Sequence, residues 1–305
     1  MATTDTSPMP QHRPGHDWTA RHVAALLLAN CGLALGPWLV RLADTGPVAA
    51  GYWRLMIAMP FVFLLSLREP TVQRRVGGMA LLIVLGAGVA FALDLAAWHV
   101  GIVRTKLGNA SLFGNGGSVI LMAWGLIAAR RRPHLLELAA IIAALIGAGL
   151  LMGGSLEISH VNFVGDLFCL LAGFFYAVYI LMLNSVRGRL GQYSLLFNSM
   201  FASVPLMLLI AWLLGEQIVP GNWTPLIALA CTSQLIGQGF LVYSLRHFPP
   251  LVIGLALLTQ PAISATIGWL AFGEALTPVD VIGMVLLAGA LAMAKAGDRP
   301  PTAKA

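Results

Sequence analysis

Gln234 and Gln238 stand four residues apart, and Tyr176 and Tyr179 three apart, spacings that put each pair on one face of a helix. With Asn30, Asn115 and Gln260 they are the polar residues set deepest in otherwise apolar runs. Uncharged amides and phenols supply donors and acceptors without trapping a ligand, which suits reversible binding of a neutral or zwitterionic solute. The same groups serve equally well as hydrogen bonds between helices, and for each residue taken alone that reading stands level with the first. Trp98 and Tyr243 lie near the ends of their runs, where an aromatic ring usually anchors at a membrane interface; they are candidates for the rim of a pocket. His99 is expected as a solvated interfacial residue.

Two charges interrupt the apolar pattern. Arg54 sits in GYWRLMIAMP at 51–60, about seven residues into its run, which is roughly 10 Å deep at 1.5 Å per residue. A guanidinium at that depth is costly unless it is paired or faces water. Asp94 lies at a matching depth in the next run, so an Arg54–Asp94 pair or a shared hydrogen-bond network is expected. Three roles remain open for it: a structural clamp, an outer gate that breaks during transport, or contact with a substrate carboxylate.

Several chemistries lack their residues. There is no phosphate-cradling GxxxxGK, no HExxH, no acid cluster suited to a metal and no plausible Ser/His/Asp set. No metal or cofactor is expected, and an integral membrane enzyme and a non-transporting receptor stand as the rival classes. Phosphorylated substrates call for buried cations. The three lysines, Lys106, Lys295 and Lys304, lie at run ends or in tails, which disfavours a sugar-phosphate exchanger. Asp94 is off-centre for a proton-coupled carrier of cationic drugs. Cys31, Cys169 and Cys231 fall inside apolar runs without metal-ligand spacing and are expected as buried thiols.

The elements that must position these residues are membrane-spanning helices. With 58% hydrophobic and 10% charged residues and a mean hydropathy of +0.84, the chain is an integral membrane protein. Continuous apolar runs exclude the alternation of a β-barrel. Ten spans are predicted, at 22–42, 47–67, 77–99, 108–129, 136–154, 164–184, 194–215, 223–244, 251–271 and 278–295. Residues 1–21 read as a disordered tail without a cleaved signal, and 296–305 as a second tail. With the N-terminus inside, basic residues such as Arg74, Arg75 and the run 130–132 fall on the cytoplasmic side, and only Arg41, Arg104 and Lys106 fall outside. Both termini are therefore expected in the cytoplasm. The basic residues are scattered among short loops, so the net charge of +6 points to topology rather than to nucleic acid.

Sliding the chain on itself by 145 residues aligns Pro60 with Pro205, Trp98 with Tyr243, Asn115 with Gln260 and Trp124 with Trp269. Arg54 then falls on Ser199 and Asp94 on Gly239, so both charges are missing from the second half together. Five spans per half is an odd number, so the second half must enter the membrane upside down, and inverted repeats suit alternating access around a midplane site. The glycine-rich GNASLFGNGGS at 108–118 and its Pro261-interrupted mate are the best pointer to that site.

The segment WLAFGEALTPVDVIGMVLLAG at 269–289 resembles the end of an EamA-type repeat of the drug/metabolite transporter superfamily. GYWRLMIAMP resembles that family's second helix, and GDLFCLLAGFFYAVYIL at 165–181 the start of its second repeat. The resemblance implies two repeats, 22–154 and 164–295, in a bacterial-type inner membrane. It is strongest to ten-helix exporters of amino acids and other small metabolites, including the YddG-type aromatic amino-acid exporters. It therefore implies export of aromatic and other neutral amino acids, or of other small metabolites or drugs, among membrane lipids; the sequence leaves the oligomeric state open, a monomer being one form it allows. One departure is the run 130–132, which replaces the Gly273-Glu274 turn of the second repeat.

Overall fold

The computed structural model describes residues 18–70, 77–105, 107–117, 121, 124, 135–153, 160–186, 188–257, 259–273 and 278–297. The tail at 1–17, the basic run 130–132, Glu274 and the tail from 298 onward lie outside the described residues. Among the described residues the structure is helical, without strands. Apolar sequence of this length forms helices because a lipid environment offers the backbone no other partner.

The chain runs through α1 (Ala20–Ala34), α2 (Gly36–Leu42), α3 (Pro47–Ser66) and α4 (Gly78–Ile102), then α5 (Leu107–Gly114) and α6 (Leu135–Gly153). It continues through α7 (His160–Val186), α8 (Gln192–Leu213), α9 (Thr224–Leu229), a π-helical stretch (Ala230–Gln238) and α10 (Gly239–Ser244). α11 (Pro250–Leu257), α12 (Gln260–Phe272) and α13 (Pro278–Gly297) complete it. Among the described residues, seven helical segments are long and apolar enough to cross a membrane: Ala20–Leu42, Pro47–Ser66, Gly78–Ile102, Phe163–Val186, Gln192–Leu213, Thr224–Ser244 and Val252–Ala271. Of the other three expected spans, much of 108–129 lies outside the described residues, and the other two fall on α6 and α13.

Prolines and glycines shape the breaks. Pro37 opens α2 after the turn at Leu35, and Pro261 opens α12 after α11 ends at Leu257, each where the missing N–H costs nothing. α5 ends at Gly114, so the interruption expected in both glycine- or proline-disturbed segments is present on each side of the 145-residue offset. Pro60 and Pro205, also offset mates, lie inside α3 and α8.

The helices approach closely through small residues, as apolar surroundings require when no hydrophobic force drives association. α4 lies against α7 at Gly101, where an added Cβ would collide with Cys169 and the Gly165 carbonyl. α3 and α8 also pack together, and their ends are tied reciprocally. The N-caps are Gly46 for α3 and Gly191 for α8, neither with a capping side chain, and they are themselves offset mates. Glu216, just beyond α8, accepts from the N–H groups of Val48 (3.2 Å) and Ala49 (2.8 Å) at the start of α3. Glu69, just beyond α3, accepts from the N–H groups of Tyr193 (2.9 Å) and Ser194 (3.1 Å) and from Ser194 Oγ (2.7 Å) at the start of α8. Each helix thus receives its missing acceptors from its partner's far end, with the negative charge at the favourable pole of the helix dipole.

Two expectations are corrected. Cys169 is buried, but Cys31 and Cys231 face outward from the helix bundle, because their positions on α1 and on the π-helical stretch lie opposite the packed faces. His99 is fully buried rather than solvated: its Nδ1 donates to the Pro47 carbonyl in the first turn of α3 at 2.6 Å, which replaces the water a solvated ring would have.

Candidate functional site

Helix α4 presents Phe91, Asp94, Leu95 and Trp98 at spacings i, i+3, i+4 and i+7, one continuous face. That face forms one wall of a central cavity. The remaining lining is Leu33 from α1, Arg54 from α3, Gly114 and Asn115 at the end of α5, Tyr176 from α7, Gln238 from the π-helical stretch and Gln260 from α12. The polar members are all buried, from 1% exposed for Arg54 to 8% for Tyr176. The cavity is narrow in this conformation, with room of about 40 Å³, a few water molecules' worth when each centre needs about 10–15 Å³.

The amides form a connected chain. Asn115 Nδ2 donates to its own helix at Ser111 O (2.7 Å) and to Gln260 Oε1 (3.4 Å). Gln260 Nε2 donates to Asn30 Oδ1 (3.1 Å), and Asn30 Nδ2 donates to Leu26 O (2.8 Å). The interruptions of α5 and α12 bring Asn115 and Gln260 to the same point, so two residues 145 apart in sequence touch each other. Across the cavity Gln238 Nε2 donates to the Tyr176 hydroxyl at 3.3 Å. Trp98 is held by its indole N–H on Ala110 O (3.3 Å) and lies between Gly36 and Gly114, where a Cβ would press on its ring.

Arg54 Nε donates to Gln234 Oε1 (3.1 Å) and Nη2 to Ser233 O (3.4 Å), both on the π-helical stretch. Of the two arrangements expected, a direct pair with Asp94 or a shared hydrogen-bond network, the direct pair is not formed among the described residues; the two charges face the same cavity. Matching depth is a property of each helix alone, whereas contact also depends on how the helices are rotated, and here Arg54 turns toward the π-helical stretch.

Seven of the eleven residues singled out in the sequence line this one cavity: Arg54, Asp94, Trp98, Asn115, Tyr176, Gln238 and Gln260. Three more stand directly behind it. Asn30 and Gln234 hold Gln260 and Arg54, and Tyr179 stacks on Phe91 at 4.6 Å. Tyr243 is placed elsewhere, with His247 at 4.5 Å and His22 at 6.1 Å between ring centroids, and burial holds His247 below the ordinary imidazole range. Phe91, Leu33 and Leu95 were missed because apolar wall residues carry no chemical signal, whereas Gly114 belongs to the glycine-rich stretch 108–118 that pointed to the site. The helical spacing of Phe91 and Leu95 to Asp94 was the clue available.

A model of the EamA-like transporter family matches residues 163–295. That part of the chain, somewhat under half of it, is similar to the EamA-like transporters. The threonine/homoserine exporter RhtA of Escherichia coli (strain K12) is 26% identical over 169 residues, which are 55% of this chain and 55% of that protein. RhtA of Salmonella typhimurium (strain SL1344) is 25% identical over 161 residues, 52% of this chain and 54% of that protein. The chain spans about half the length of the curated relatives it matches. A solved crystal structure shares the fold of this chain with a TM-score of 0.68, covering 90% of this chain and 95% of that one at 16% identity.

Proposed function

We propose that this protein is an EamA-type secondary exporter of neutral amino acids or similar small metabolites, aromatic ones included, working by alternating access in a bacterial inner membrane. The observation that carries the reading is the convergence of buried amides, a phenol, an indole and one charge of each sign on a single central cavity. A catalytic centre would be expected to offer an activated nucleophile or an acid–base pair; this cavity offers reversible hydrogen bonds and apolar walls. The relatives named as threonine/homoserine exporters support amino acids as the solute class.

Ten spans arranged as inverted repeats, 22–154 and 164–295, with both termini in the cytoplasm, complete the proposal. Support comes from contacts that repeat under the 145-residue offset. The helices begun by Gly46 and Gly191 are both capped by a glutamate from the partner helix. Arg54 meets Ser233, and their mates Ser199 and Gly88 also meet. Residues at a pseudo-two-fold axis must neighbour their own mates, as Asn115 and Gln260 do. The narrow cavity fits a conformation whose walls must part before a solute enters, which a rocking pair of repeats provides. The protein acts as a monomer among membrane lipids in this reading.

Counterflow into liposomes tests it, with labelled Thr, homoserine, Phe, Tyr, Trp and Met outside and the unlabelled compound inside. At least one of these accumulates only against its own preload. Gln260→Ala removes the bonds to Asn30 and Asn115 together; at about 1 kcal/mol each it lowers the rate about tenfold or more. A folded, inserted protein that exchanges no amino acid contradicts the substrate class.

A further inference from the structure

Arg54 and Asp94 are opposite charges lining one cavity without touching. The acceptors that hold Arg54 are both neutral, the Gln234 amide and the Ser233 carbonyl, and they engage Nε and Nη2 only. Nη1 makes neither bond, so the guanidinium keeps donors for a further acceptor. Asp94 has no hydrogen-bond or ion-pair partner among the described residues and is 7% exposed, its exposure opening to the cavity it lines. A buried cation and a buried anion left facing the same gap each lack the compensation that buried charge requires.

Resting on the export reading above, we propose that Arg54 and Asp94 are the two poles of a zwitterion site. The guanidinium receives the α-carboxylate of an amino acid, and the Asp94 carboxylate receives its α-ammonium. One molecule then neutralises both poles at once, with no net charge added to the membrane interior. An anion satisfies only Arg54, a cation only Asp94, and either leaves the other charge unanswered. Gln234 and the Ser233 carbonyl act as positioning groups, aiming the guanidinium from the π-helical stretch. With the ammonium on Asp94, the amino-acid side chain falls along the same face of α4, against Phe91, Leu95 and Trp98. The offset mates of the two poles, Ser199 and Gly239, carry no charge, so the site has one polarity and the solute one orientation.

Titration calorimetry on the purified full chain tests the assignment with two ligand sets: L-threonine, 3-hydroxybutanoate and 1-amino-2-propanol; and L-phenylalanine, 3-phenylpropanoate and 2-phenylethylamine. The wild type binds the zwitterion of the preferred set at least about tenfold more tightly than either single-charge analogue. Asp94→Asn erases the advantage of the zwitterion over the carboxylate-only analogue. Arg54→Gln erases its advantage over the amine-only analogue, and Arg54→Lys, which keeps the charge, retains most of it. A purely structural clamp moves all three ligands of a set together. If amino acids exchange in liposomes but the variants weaken the three ligands equally, or the wild type does not prefer the zwitterion, the pole assignment is overturned and export stands. If no amino acid exchanges or binds, both fall.

Discussion

Gly88→Ala is expected to lower the unfolding temperature of the purified protein by several degrees. The new Cβ would lie within the van der Waals surface of the Ser199 carbonyl oxygen and 2.8 Å from the Ala202 Cβ on α8. Neither neighbour can rotate away, because one is backbone and the other is the first side-chain atom. The helices are also bonded at this point: Ser203 Oγ donates to Gly88 O at 2.7 Å and to Ser199 O at 2.9 Å. α4 and α8 must therefore move apart, breaking that bond and loosening the wall that carries Asp94. Overpacking of this kind costs about 3 kcal/mol. Gly239→Ala is the control, since nothing lies within 4 Å of its Cβ and its backbone is helical; it is expected to leave stability unchanged or raise it slightly. Equal unfolding temperatures for the two variants would contradict the packing described.

The second large effect concerns the reciprocal capping of α3 and α8. Glu69→Ala removes three charge-assisted hydrogen bonds from the start of α8, and Glu216→Ala removes two from the start of α3. Because Gly191 and Gly46 have no side chain to substitute, the freed N–H groups must find water or remain unpaired. The expected loss is about 2–3 kcal/mol for Glu69→Ala and somewhat less for Glu216→Ala. Glutamine at either position retains an acceptor oxygen but not the charge, and should fall between. Thermal unfolding of the four variants gives the order; alanine variants as stable as the wild type would show that the caps carry no weight.

Much of this architecture was legible in the sequence because it follows from local pattern. The apolar runs mark the helical segments, and Pro261 and the glycines of 108–118 mark the interruptions at the cavity. Polar residues deep in apolar runs pointed to the cavity, since few other places can hold them. What was not legible depends on azimuth and on long-range contacts. Depth along α3 and α4 suggested that Arg54 and Asp94 pair, but the rotation that turns Arg54 toward Gln234 is set by packing 180 residues away in sequence. The π-helical stretch ACTSQLIGQ has no composition that separates it from an α-helix; its i→i+5 bonding is a tertiary outcome. Tyr243 is the offset mate of Trp98, yet it does not share Trp98's surroundings, because His22 and His247 flank its ring. Glu69 and Glu216 read as ordinary loop acids, and only the fold reveals which helix ends they reach.

A cavity that is the path of the solute must open in turn to each side of the membrane. Leu33 lines it at 7% exposure without belonging to the hydrogen-bonded set. The direct measurement is the modification rate of Leu33→Cys, in a chain whose Cys31, Cys169 and Cys231 are replaced by serine or alanine, by a membrane-impermeant thiol reagent applied to either face of sealed vesicles. Alternating access predicts modification from both faces, slowed by whichever amino acid supports counterflow. A thiol unreactive from both faces, or reactive from one face only and unaffected by that amino acid, would contradict it.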